Sequence, residues 1–247
     1  MKIGIQLYNF RQQLDADFTG TLRKVAALGA DGVEFYAYGG LQPAELARLM
    51  AELGLECAGT MFGPDQLQDP ENIAWEYAKA LASPAVTISC MLDFTARWKE
   101  VRDICQAIGR NAAAHGIPFS YPNHWAEFAK VDGTTAMERI LAECDPKEVL
   151  MEPDICWLTR GGENPPDFLR RHGGRIRQVH FKDIKQPEVP ETTTPLGTGV
   201  VDVVGSLKAA REIGAEWITY EQDFTDEPFE CARRSLAYLK EQLSQLG

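Results

Sequence analysis

Long apolar runs are missing from this chain of 247 residues. None approaches the ~20 consecutive apolar residues that cross a bilayer, so no membrane-spanning segment is expected. Basic residues are also in short supply: 25 Lys and Arg face 36 Asp and Glu, a formal charge of −11. Such a surface repels phosphate backbones and anionic lipid, which argues against nucleic-acid and membrane-surface partners. The N-terminal MKIGIQLYNFRQQL has neither a long apolar core nor a small-residue cleavage site. It reads as a first strand, and a cytoplasmic location is expected. The six cysteines are scattered without a CxxC pair, which disfavours a zinc-thiolate site and leaves buried, reduced thiols as the expectation. The sequence has no charge block, linker or internal sequence repeat, and its 45% hydrophobic and 25% charged residues fit an ordinary globular domain.

What the sequence does have is a structural period. Short apolar or β-branched runs recur at residues 3–8, 32–36, 56–60, 86–90, 118–121, 149–153, 178–181 and 217–221. Amphipathic stretches lie between them. Leu22, Val25 and Ala26 run into Gly29, and Leu46, Leu49, Met50 and Leu53 run into Gly54, each glycine standing where a helix C-cap is expected. Further helices are expected over 97–115, 134–144, 202–213 and 229–243. Alternating strands and helices imply parallel pairing, because each crossover needs a dozen or more residues. Eight such units in a chain of this size match a (β/α)8 TIM barrel, in a single domain over 1–247. An open doubly wound sheet would want a glycine-rich phosphate loop after its first strand. The residues there are Gln6-Leu7-Tyr8-Asn9-Phe10-Arg11, which favours the barrel.

In such barrels the chemistry sits at the C-terminal ends of the strands. Asp154, His180 and Glu221 fall at comparable heights on strands six, seven and eight. Singly, each has an ordinary explanation: a helix N-cap for Asp154, hydrogen-bonded filler for His180, an arginine partner for Glu221. Together they offer hard oxygen and borderline nitrogen ligands to one divalent ion, with Mn²⁺, Mg²⁺, Co²⁺ and Zn²⁺ all compatible. Anionic groups aimed at one point also require a cation or a proton between them.

The segments GIQLYNFR, GADGVEFY, SYPNHWAEF, MEPDICWLTRGGENP, VHFKDI, PLGTGVVD and WITYEQD resemble, in order, the xylose-isomerase-like barrel superfamily and its sugar phosphate isomerase/epimerase group. The resemblance implies that Asp154, His180 and Glu221 are metal ligands. The group's first ligand is usually a glutamate from strand five, whereas Ser120 stands at that position here. His124 is the favoured substitute, two alternations further on if the backbone stays extended. Asn123 and Glu127 are alternatives, because Pro122 makes the local path uncertain.

Proton abstraction beside a carbonyl, through a metal-stabilised enediolate, is the chemistry expected of this set. Glu221 is the expected proton carrier. Lys182, two residues beyond His180, is expected to stabilise the oxyanion, unless it is an exposed loop lysine paired with Asp183. Glu34 is expected to point into the mouth as a second acid/base or a hydroxyl ligand, with a helix cap or an arginine partner as the alternative. Tyr8, Trp125 and Trp157 are candidate sugar contacts, with core packing as the competing role for the tryptophans; Arg11 is a weaker candidate. Gly197 and Gly199 suit either a phosphate or a plain turn, and His115 and His172 are expected to be peripheral. The leading function is therefore a metal-dependent isomerase or epimerase of a free or phosphorylated sugar or polyol, with self-association left open. The competing readings are a lyase of a keto-inositol or 3-keto-sugar and a catalytically silent sugar-binding barrel. The endonuclease branch of the superfamily builds a multi-metal cluster from additional histidines, which four histidines cannot supply.

Overall fold

A computed structural model describes residues 1–246. Eight parallel strands carry the architecture: β1 (Lys2–Gln6), β2 (Gly32–Phe35), β3 (Glu56–Met61), β4 (Val86–Thr87), β5 (Phe119–Pro122), β6 (Leu150–Glu152), β7 (Gln178–Phe181) and β8 (Trp217–Tyr220). Their order around the sheet is β6-β5-β4-β3-β2-β1-β8-β7. The ring closes between its two end strands, where Met151 pairs with Ile176 and Asp154 with His180. At that seam the His180 N–H donates to the Pro153 carbonyl at 2.9 Å. The result is a TIM barrel, with all eight strands where the periodicity predicts them. β4 is shorter than the apolar run 86–90, because its neighbour β3 ends at Met61, opposite Thr87.

Helices cover the outside for reasons visible in the sequence. The longest, Phe94–His115, starts three residues before the expected boundary because Asp93 caps it, accepting from the Thr95 N–H at 3.0 Å. It buries Phe94, Trp98, Val101, Cys105, Ile108 and Ala112, a spacing of three and four that sets one stripe against the barrel. Each large side chain removed from water there is worth ~1.5–3 kcal/mol. The helix expected over 134–144 begins instead at Ala136. Thr134–Thr135 is taken by a short antiparallel ribbon with Lys130–Val131, and Thr135 caps the helix through its hydroxyl. All six cysteines are buried and unbridged. No described helix is long and apolar enough to cross a membrane.

The interior of the barrel is polar. Apolar residues such as Ile3, Ile5, Val179 and Phe181 alternate with buried Gln6, Glu34, Glu152, Gln178 and Thr219, as the two-residue repeat of a strand requires. Gly59 on β3 leaves room for this layer. A Cβ there would lie 3.1 Å from the Glu34 Cγ and 3.1 Å from the Gln178 Nε2.

Candidate active site

Strand alternation builds the site in layers. Gln178, His180 and Lys182 follow one another at intervals of two, and Glu152 and Asp154 do the same on the neighbouring strand. In the lower layer, Gln178 donates to Glu152. The His180 Nε2 lies 2.8 Å from Glu34 and 3.2 Å from Glu152. Its other nitrogen, Nδ1, faces upward, 3.0 Å from the Glu221 Oε2. Glu34 is therefore not at the mouth: it is fully buried beneath the imidazole.

The upper layer is organised by Lys182. Its ammonium, 1% exposed, sits 3.1 Å from Asp154, 3.0 Å from Glu221 and 2.8 Å from Asp223. Its Nζ also lies 4.5 Å from the centroid of the Trp157 ring. Lys182 is thus no exposed loop residue, and Asp183 is not its partner. Asp183 instead accepts from the backbone N–H groups of Ile184, Gly197, Gly199 and Val201, folding the loop after β7 around itself. Those bonds occupy the glycine amides that a phosphate would need. Asp154 has two duties. One oxygen caps the helix Ile155–Arg160, accepting from Cys156 and Trp157 at 2.9 and 3.1 Å, while the other faces Lys182.

Burial and charge set the protonation of this cluster. Burial, reinforced by the adjacent Glu152, pushes Glu34 up to about 8. Burial also raises Asp154, although Lys182 pulls the other way. Glu221 would likewise be raised by burial, but Lys182 and His180 hold it well below the usual carboxylate range. Burial opposes charge on His180, yet Glu152, Glu34 and Glu221 carry its pKa well above the ordinary histidine value. The same balance keeps Lys182 protonated, with Asp154, Asp223 and Glu221 outweighing its burial. With His180 neutral, as a metal ligand must be, five carboxylates at formal charge meet the single Lys182 ammonium, leaving an excess of four negative charges, or three with Glu34 protonated.

That excess, and the donor chemistry, fit a divalent ion. One ligand atom each from Asp154, His180 and Glu221 falls within a 4.8 Å span, and all three residues are buried. Three protein ligands with open positions are typical of a catalytic metal site. A carboxylate on the far nitrogen of the histidine is the usual support for a ligating imidazole. Lys182 supplies part of the cation that the converging carboxylates require.

His124 does not join this cluster. β5 ends at Pro122, so the alternation stops there, and Asn123 takes the inward place, its side-chain oxygen accepting from the Asp154 N–H at 3.2 Å. His124 lies in the cavity wall with its Nδ1 3.7 Å from Glu127. Glu127 is fully buried and accepts from the Tyr121 hydroxyl at 3.1 Å. Ser120 is buried inside the barrel, its hydroxyl without a protein partner. Tyr8, Trp125 and Trp157 all line the cavity, about 700 Å³ in volume, above the cluster. The two indoles lie 5.0 Å apart, and the Arg160 guanidinium lies 4.2 Å from the Trp125 ring centroid. His115 stacks on Trp75 and His172 packs at a tilt against Phe168; neither lines the cavity. Glu152, Asp223 and Gln178 are additions that sequence reasoning did not single out. Each stands two residues from a predicted site residue on the same strand or its continuation, and that spacing was the available signal.

Parallel-barrel topology, with ionisable groups gathered at the ends of β6, β7 and β8, defines a TIM-barrel protein. The family described as xylose isomerase-like TIM barrel matches residues 22–242, and the chain belongs to it. Inosose dehydratase from Lacticaseibacillus casei is 26% identical over 162 residues, covering 58% of this chain and 53% of that protein. The chain spans about half the length of the curated relatives it matches. Among solved structures, a sugar phosphate isomerase/epimerase from Parabacteroides distasonis ATCC 8503 superposes with a TM-score of 0.79 at 21% identity, over 97% of this chain and 93% of the other. The IOLI protein, with a bound zinc atom, superposes with a TM-score of 0.76 at 14% identity, over 99% of each chain.

Proposed function

We propose that this protein is a divalent-metal-dependent isomerase or epimerase that moves a proton beside the carbonyl of a sugar or related polyol. The observation that carries the reading is the convergence of Asp154, His180 and Glu221 within a 4.8 Å span on the floor of a cavity. These three residues would hold the ion. Once bound, the ion supplies electrophilic stabilisation to the oxyanion that develops as the proton leaves.

The remaining work falls to the chain's own groups. Glu221, kept ionised by Lys182 and His180, takes the proton from the carbon beside the carbonyl and returns it to the neighbouring carbon while the hydroxyl proton passes between the two substrate oxygens; epimerisation at the same carbon takes a second proton donor on the opposite face of the substrate. The Lys182 ammonium, facing three carboxylates at 2.8–3.1 Å, holds Asp154, Glu221 and Asp223 in place around the reacting centre without needing to reorganise. Glu34 acts as a positioning residue: it holds the His180 Nε2 so that Nδ1 faces Glu221. Trp125 and Trp157 offer apolar faces to a sugar ring, and Tyr8 and His124 stand where they can contact its hydroxyls.

One observation favours a second reading. The acidic residues lining the cavity are Asp154, Glu221 and Asp223, all from the β6 and β8 ends, while β5 carries Ser120. Acid–base groups gathered on one side suit a lyase of a keto-inositol or 3-keto-sugar. There the proton leaves one carbon, the bond from the next carbon to its oxygen substituent breaks, and the departing oxygen is protonated from the same side. The relatedness to inosose dehydratase agrees with this. The test is incubation of the metal-loaded protein with ketoses and keto-glycosides in D2O, followed by NMR and absorbance. Deuterium beside the carbonyl with a new isomer supports the first reading, and an unsaturated product supports the second. No exchange with any compound, while the sugars still bind, would leave a silent binding barrel.

A further inference from the structure

The ionisable cluster occupies one half of the barrel mouth, and the other half is mostly aromatic and apolar, with Gln6, Arg11, Gln66 and Ser89 among its lining. The ends of β1 to β4 and the segments that follow them contribute Tyr8, Tyr36, Tyr38, Met61, Phe62 and Met91 to the cavity wall. Tyr38 stacks on Phe62, with ring centroids 4.9 Å apart and planes within 5°. It also packs against Tyr77 at 4.6 Å. The Tyr38 hydroxyl donates to the Met61 carbonyl at 3.0 Å and the Tyr77 hydroxyl to the Leu41 carbonyl at 2.5 Å. Their polar ends are thus spent inside the protein, and what remains for a ligand is ring surface.

The rim continues the pattern. Seven large apolar side chains are exposed among the described residues, and four of them, Tyr8, Ile73, Met91 and Phe224, line this one cavity. Single exposed apolar residues mean little, but their concentration around one opening marks a binding surface. The volume of about 700 Å³ lies within the ~300–1,000 Å³ of cavities that take drug-sized ligands and exceeds what one sugar ring fills. Charge points the same way. The lysine and arginine side chains of the lining are Arg11 and Lys182, and Lys182 is already shared by three carboxylates. The Gly197 and Gly199 amides are taken by Asp183.

We infer that the ligand is an unphosphorylated keto-sugar bearing an aromatic or similarly apolar substituent, the keto form of an aryl glycoside. The sugar lies over Asp154, His180 and Glu221, and the substituent lies against Tyr38, Phe62 and Met91. The placement of the sugar rests on the function proposed above; the apolar half stands on its own geometry.

Calorimetric titration of the metal-loaded protein with phenyl and methyl glycosides of glucose, galactose and xylose, and with their 3-keto derivatives, tests this. Phenyl compounds should bind at least about tenfold more tightly than their methyl counterparts, the factor that ~1.4 kcal/mol of extra apolar contact provides. Met91→Asp and Ile73→Ser, at exposed positions of the β1–β4 half where folding tolerates change, should each bring that ratio toward one. Equal affinities, no binding of any phenyl glycoside at millimolar concentration, or a ratio untouched by both substitutions would overturn the inference. Proton exchange in D2O is read separately on the same compounds. Selective phenyl binding without exchange leaves the apolar subsite standing and removes the proton-transfer function. Exchange with equal affinity for phenyl and methyl compounds does the reverse.

Discussion

Lys182→Met removes the one ammonium shared by Asp154, Glu221 and Asp223 while keeping an unbranched apolar side chain against Trp157. The side chains of these three acids are 2%, 11% and 14% exposed, so water cannot replace the lost charge cheaply. Breaking a buried ion pair by deleting one partner costs ~3–5 kcal/mol. In a chain of this size each kilocalorie moves the melting temperature by ~2–4 °C, so a fall of roughly 6–20 °C is expected in metal-free buffer. The same change removes the competitor for the Asp154 and Glu221 oxygens that a divalent ion would use. Mn²⁺ should therefore raise the melting temperature of the variant more than that of the parent, returning ~2.7 kcal/mol at a hundred times its dissociation constant. Differential scanning calorimetry in EDTA, then across a Mn²⁺ titration, measures both effects. A variant that melts with the parent in EDTA would refute the reasoning, because the three carboxylates would then have no need of the lysine.

Other consequences are equally direct. Glu221→Gln should leave the fold intact and abolish proton exchange in D2O; full activity would remove Glu221 from the mechanism. His180→Ala should lower the metal content measured by plasma mass spectrometry, and an unchanged stoichiometry would take it out of the ligand set. Glu34→Leu should weaken metal binding by about 10–100-fold, as loss of support behind a ligating imidazole does. Glu34→Gln, which still offers an oxygen to Nε2, should rescue much of that loss, and equal effects in both variants would count against the positioning role. Asp183→Ala should strip hydrogen-exchange protection from the amides of Gly197, Gly199 and Val201, whose bonds to Asp183 are 3.0, 2.8 and 3.1 Å. Retained protection would mean that the loop is held elsewhere.

The eight-strand period, the parallel ring it implies and the placing of Asp154, His180 and Glu221 at its mouth were all legible in the amino-acid order, because strand–helix alternation and strand-end position are local properties. The path after Pro122 was not. Where a strand stops, alternation no longer says which side chain turns inward, and Asn123 rather than His124 takes that place. The depth of Glu34, its meeting with Glu152 under His180, and the capture of Lys182 by three acids were decided only by closure of the ring. These contacts join residues as far apart as Glu34 and His180, 146 positions along the chain, and no local pattern encodes such a distance. The division of the mouth into an ionisable half and an aromatic half has the same origin: sequence sets what each strand end carries, and the circular order of the strands sets what it faces.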